Sequence, residues 1–165
     1  MEKKKLTIYV LTGLIAALCA IGNFIKIPGP ITTAALDSAP ALLSVAFLPP
    51  LFSGLTAAIG HIATGLTAGM PLGPFHAVIA LEMFFILYIF NILHRKGFSV
   101  LKWTFVIVAN GIIAPMPFYF LVSPAFYFAS VPSLTVATII NVIVAIIVLP
   151  VLQKVIARKG ALKSI

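Results

Sequence analysis

Acidic side chains are almost missing from this chain of 165 residues: Glu2, Asp37 and Glu82 are all there are, and charged residues of both signs make up 8%. A soluble domain covers its surface with far more charge, so a water-soluble globule is excluded. Cysteine is reduced to Cys19, inside an apolar stretch, which leaves no disulfide framework and no cysteine-rich metal centre. Cys19 reads as a small packing residue. No GxxxxGKS-type run occurs, so this chain does not hydrolyse ATP through a phosphate-binding loop. No HExxH spacing is present, and no Ser-His-Asp set stands in a diagnostic context. Catalysis has no support here. Internal repeats are also lacking, and a chain this small without duplicated halves is not expected to work alone as an alternating-access transporter.

What is abundant is apolar: 62% of residues are hydrophobic and the mean hydropathy is +1.21. Runs near twenty residues recur, the helix length that crosses about 30 Å of hydrocarbon. The expectation is an all-α integral membrane protein, one domain over residues 1–165, with six transmembrane helices at about 6–24, 38–49, 51–68, 75–94, 101–122 and 132–156. The first run lacks an A-x-A cleavage context before a soluble domain, so it is expected to be a span and not a secretory signal. The second is too short to span unaided and is expected to be tilted or partly re-entrant, ending at Pro49-Pro50 because proline disfavours helix in the residue before it. Pro115 and Pro117 should kink the outer part of the fifth.

The net charge of +8 is distributed in a way that excludes a nucleic-acid partner. Ten of the eleven basic residues fall in three clusters, at Lys3–Lys5, at Arg95, Lys96 and Lys102, and at Lys154, Arg158, Lys159 and Lys163. Separated by even numbers of spans, they place both termini in the cytoplasm of a multi-pass cytoplasmic-membrane protein. Loops 25–38, 69–75 and 123–132, rich in proline and glycine, then lie outside and are expected to cap a ligand cavity.

Ionisable and amide side chains within spans are functional candidates because their burial costs several kcal/mol without a compensating partner. Counted at about 1.5 Å per residue from the outer helix ends, Glu82 lies about 10 Å deep, His61 about 12 Å, Asn141 about 14 Å and Asn110 about 18 Å. Four helices thus bring polar groups to the outer half of the membrane, with His76 and Asp37 nearer the boundary. Simpler roles compete: Asn110, Asn141 and His61 as interhelical bonds, Asp37 as a cap on the second helix, and Glu82 paired with His61. His76 and Glu82, six residues apart, are expected on different helix faces. A small metal-dependent membrane enzyme using His61, His76 and Glu82 is the rival class, and an assembly subunit without a small-molecule site is a third. Phe118, Tyr119, Phe126 and Tyr127 flank the third outer loop, and aromatic walls beside a carboxylate suit a flat heteroaromatic ligand. On the first helix Gly13, Ala16, Ala17 and Ala20 form a small-residue stripe that lets another helix approach closely, in this chain or in a partner.

Size, six helices, a basic N-terminus, Ala16-x-x-x-Ala20 and substantial outer loops together resemble the substrate-binding S component of energy-coupling factor vitamin transporters, over the whole chain. Within that family, IKIPGPITTAALDSAPALL and AAIGHIATGLTAGMPLGPFHAVIALEM are most similar to α-ribazole carriers, which salvage a nucleoside precursor of cobalamin. The resemblance implies a prokaryotic subunit that captures its vitamin outside. A transmembrane coupling subunit and two ATPases would drive uptake, apart from which no cofactor is implied, and Ala16 and Ala20 would contact the coupling subunit. Riboflavin or another heteroaromatic vitamin fits the aromatic and acceptor residues almost as well.

Overall fold

The computed structural model describes residues 2–27 and 34–158, so part of the loop expected at 25–38 and Lys159 and Lys163 of the last basic cluster lie outside the described residues. The chain is helical over α1 (Glu2–Gly22), α2 (Ala39–Leu43), α3 (Pro50–Thr67), α4 (His76–Arg95), α5 (Ser99–Val108), α6 (Pro117–Leu121) and α7 (Pro124–Arg158). Large apolar side chains face outward along whole helices, such as Val10, Leu14 and Ile21 on α1 and Ile143, Ile147 and Val151 on α7. A surface of that kind suits lipid. This is an all-α membrane protein.

Four segments among the described residues are long and apolar enough to cross a bilayer: Glu2–Gly22, Gly73–Arg95, Ser99–Leu121 and Pro124–Arg158. The eighteen-residue α3 and the five-residue α2 are not among them. The helix expected at 38–49 is therefore corrected to α2 and a 3-10 turn, Ser44–Ala46. Pro49 is extended (ψ 163°), the conformation imposed on a residue before proline, and it separates this turn from Pro50 at the start of α3.

Helix directions follow from contacts. Tyr9 packs on Phe52 at 5.6 Å, and Asn23 Nδ2 donates to Thr67 Oγ1 at 3.3 Å, so α1 and α3 run parallel. The intervening chain must return the length of the bundle. It does so through a two-residue antiparallel ladder, β1 (Lys26–Ile27) with β2 (Ala34–Ala35), and then α2. It arrives at Leu48, whose carbonyl accepts from Asn91 Nδ2 and an Arg95 guanidinium nitrogen at 3.0 Å each. Glycine permits the close helix approach: a Cβ at Gly54 would meet the Phe84 carbonyl oxygen at 2.8 Å, and one at Gly60 would meet the Cys19 Cβ at 2.9 Å.

Two further expectations change. The sixth helix does not wait for residue 132; α7 begins at Pro124 and runs through Pro132 and Pro150. Ser123 Oγ accepts from the Phe126 N–H at 3.1 Å, and Pro124 occupies a first-turn position where its missing N–H costs nothing. The loop expected at 123–132 is thus largely helix. The fifth span is broken, as its prolines require, but the break starts earlier. A π-helical turn at Ala109–Ile113 follows α5, with the Ala114 N–H donating to the Ala109 carbonyl at 2.8 Å.

Lys3–Lys5, Arg95 and Lys96, and Lys154 and Arg158 all belong to the same end of the bundle, since Gln153 of α7 meets His94 of α4 at 3.3 Å. The opposite end holds the turn 68–75, α6, the start of α7 and the segment 34–38.

Candidate functional site

Between those last elements lies a cavity of about 510 Å³, within the size range of small-molecule sites. Two helix breaks and a short strand ladder surround it. At the end of α3, Gly69 takes φ 83°; its N–H bonds to the Leu66 carbonyl and that of Met70 to the Gly65 carbonyl, the reciprocal pattern of a left-handed helix stop. The π turn and Pro115 open α5 from α6, and the ladder β1–β2 dips beside α7.

Of the eight ligand-contact candidates, Asp37, His61, His76, Glu82, Asn110 and Asn141 line this cavity. Tyr119 and Tyr127 do not. Their rings meet each other at 6.0 Å and both contact Phe128, outside the cavity. Their neighbours Phe118 and Phe126, with ring centroids 6.1 Å apart, form the aromatic wall instead. One residue along a helix turns a side chain by about 100°, so one member of each pair faces in.

The polar residues differ in what they have left to offer. Asn141, 2% exposed, accepts through Oδ1 from the N–H groups of Ser38 (3.2 Å) and Ala39 (2.7 Å). Its Nδ2 donates to the carbonyls of Ala35 (2.8 Å) and Ala137 (2.9 Å). Both donors and both lone pairs are engaged, so Asn141 tethers the segment before α2 to α7 and caps α2. Asp37 is not that cap; its Oδ1 accepts from the Ser38 hydroxyl at 3.2 Å. Asn110, carried by the π turn, donates to Thr138 Oγ1 at 2.7 Å.

His61 Nε2 and His76 Nδ1 are 3.0 Å apart, and the Leu72 N–H approaches His76 Nε2 at 3.4 Å. A backbone N–H can only donate, which makes His76 Nε2 the acceptor. In the neutral imidazole the proton is then on Nδ1, donated to His61 Nε2. His76 is buried against Gly65, where an added Cβ would lie 3.1 Å from Nδ1. His76 opens α4 directly after the turn and is a buried residue that ties the turn to α3.

Glu82 is left over. Its Oε2 is buried and has no hydrogen-bond partner among the described residues. His61, the sequence-level rival for its attention, is bonded to His76. His76 and Glu82, expected on different faces, both reach this cavity because it wraps around the start of α4. No three His, Cys, Asp or Glu side chains converge in a metal-holding group among the described residues.

Sequence reasoning missed a second polar network, at the basic end. Asn91 Nδ2 donates to Ser53 Oγ at 2.6 Å, Ser44 Oγ to Ser53 Oγ at 2.9 Å, and Arg95 Nε to Asn91 Oδ1 at 2.9 Å. Lys102, assigned only to orientation, is 7% exposed, with Nζ 2.9 Å from His94 Nδ1 and 4.9 Å from the Trp103 ring centre. The i, i+4 pairing of Asn91 with Arg95 was the available signal. Of the small-residue stripe, Ala16 is buried against α3 and Ala20 is half-buried, while Gly13 and Ala17 are exposed. One stripe therefore divides between an internal and an external face. Compared with protein-family models, with curated proteins and with solved structures, the chain matches none.

Proposed function

We propose that this chain is the substrate-binding S component of an energy-coupling factor transporter, in the cytoplasmic membrane of a prokaryote. It captures a vitamin or vitamin precursor at the end of the bundle opposite the basic clusters. The observation that carries the reading is the buried, unpartnered Oε2 of Glu82 on the wall of a cavity large enough for a small molecule. An uncompensated polar group at that depth costs stability, and a ligand donor would offset the cost. Phe118 and Phe126 supply a flat apolar wall for a heteroaromatic ring, and Glu82 accepts from its hydroxyl or ring N–H groups. α-Ribazole, a dimethylbenzimidazole joined to ribose, has both features; riboflavin shares them.

In this reading the chain crosses six times with both termini cytoplasmic, the second crossing being made by the β1–β2 ladder and α2 instead of a membrane-length helix. The exposed Gly13 and Ala17 stripe of α1 meets the coupling subunit, whose two ATPases consume the ATP, and this chain itself performs no catalysis. Two measurements test the proposal: mass spectrometry of ligand co-purified in detergent, and titration with α-ribazole and riboflavin. A saturable complex that Glu82→Ala weakens at least tenfold is expected. Wild-type affinity in Glu82→Ala, or no response to either compound, would refute it.

A further inference from the structure

The turn that leads into α4 is held in a conformation its residues do not favour. Gly69, Met70 and Gly73 take φ 83°, 51° and 52°, which puts a non-glycine residue, Met70, in the left-handed region. Such a turn persists only where its surroundings hold it. Backbone bonds supply part of the hold, from the Met70 N–H to the Gly65 carbonyl and from the Gly73 N–H to the Met70 carbonyl, at 2.8 Å each. A side chain supplies a further tie, the Leu72 N–H on His76 Nε2. Leu72 itself is part of the cavity wall.

That tie works only while the histidine pair is neutral. His76 Nδ1–H donates to His61 Nε2, His76 Nε2 accepts from Leu72, and His61 keeps its own proton on Nδ1. Both lone pairs of the two rings are therefore in use, and a further proton has two places to go. On His76 Nε2 it faces the Leu72 N–H directly. On His61 Nε2 it faces His76 Nδ1–H, a clash relieved only when His76 carries its proton on Nε2, again against Leu72. The ring has no room to turn away: it is buried, and a Cβ added to Gly65 would lie 3.1 Å from Nδ1 and 3.3 Å from Cε1. Either route ends by breaking the bond to the turn.

We propose that the His61–His76 pair is a proton-released latch: neutral, it holds the turn and Leu72 against the cavity, and one added proton lets them go. The latched form binds fewer protons than the released one, so acid favours release and neutral pH favours closure. Few charged groups face the pair. Asp37 from the segment before α2 and Glu82 from α4 share its cavity, and Cys19 of α1 lines a smaller hollow of about 30 Å³ beside His61. The turn, the π turn, α6 and α7 bring no titratable side chain to either space, and no Lys or Arg lines them. Ionised carboxylates would draw a proton to the pair, and no neighbouring cation opposes it. Acidification on the side the cavity faces thus opens one wall of the site, a control on retention that goes beyond capture of the ligand.

The test follows the turn and the rings separately on the full chain in detergent. Cys19→Ala removes the chain's one thiol, and Pro71→Cys, at an exposed position of the turn, then takes a nitroxide spin label. The mobile fraction of the label is expected to rise at least about threefold between about pH 7.5 and 5, across the imidazole range. With His61→Gln and His76→Gln added, mobility should no longer depend on pH. Nitrogen-15 spectra of the histidine-labelled chain, which has only three such residues, check the rings without any substitution. They should show neutral His76 protonated on Nδ1 at pH 7.5, gaining charge with the midpoint at which the label loosens. A label that stays immobile to pH 5, an equal response in the double histidine variant, or a His76 proton on Nε2 at pH 7.5 would overturn the latch. None of these measurements needs a ligand, so failure of the latch leaves the proposed function standing.

Discussion

Replacing Asn141 with alanine separates a tether from a ligand contact. Its side chain makes four hydrogen bonds, three of which join α7 to residues 35–39, more than 100 positions earlier in the chain. Asn141→Ala leaves the N–H groups of Ser38 and Ala39 and the Ala35 carbonyl without this partner. The Ala137 carbonyl keeps its place in the helix. An orphaned buried group costs about 1–3 kcal/mol, but residues 35 and 38 also line the cavity, where water can partly replace the lost amide. The low end applies, so the loss is about 3 kcal/mol in all. For a chain of this size that lowers the unfolding midpoint by about 6–12 °C. Trp103 is the chain's single tryptophan and reports unfolding by intrinsic fluorescence in detergent without a label. Asn141→Asp keeps the acceptor for the two N–H groups and loses the donors to Ala35 and Ala137, so it should fall between alanine and wild type. A midpoint within about 1 °C of wild type for Asn141→Ala would refute the tether. So would a variant that keeps its midpoint yet loses ligand, because Asn141 would then have bonding capacity to spare.

The buried carboxyl oxygen of Glu82 predicts a trade-off: Glu82→Met should raise the midpoint of ligand-free protein by a few degrees and lower ligand affinity at least tenfold, both read in one thermal-shift titration. Asn91→Ala removes the side chain joining Ser53, Leu48 and Arg95; a loss of about 2–4 kcal/mol is expected by denaturant titration, with ligand affinity of the folded fraction unchanged. Ala17→Trp, on the exposed face of α1, should abolish uptake in cells while leaving ligand binding intact, whereas Ala16→Trp should compromise folding.

Composition alone determined that this chain lives in lipid, because so few charges cannot cover a surface facing water. The clustering of basic residues separated the two ends, and proline positions marked where helices would be interrupted. Which polar residues would share a region was also legible, since depth along a helix is a count of residues: Asp37, His61, His76, Glu82, Asn110 and Asn141 do line one cavity. What each had left to offer was not legible. The partners of Asn141 are more than 100 positions away, and the pairing of His61 with His76 depends on a turn whose geometry follows from Gly65 and Gly69. The inward choice of Phe118 and Phe126 over Tyr119 and Tyr127 turned on helix phase, which the π turn and Pro115 reset. The length of α2 depended on Asn141 holding its start and Asn91 and Arg95 holding the chain that leaves it. Burial cost is a property of a residue type at a depth and can be read along the chain. Hydrogen-bond satisfaction is a property of pairs, and only the tertiary structure decides the pairs.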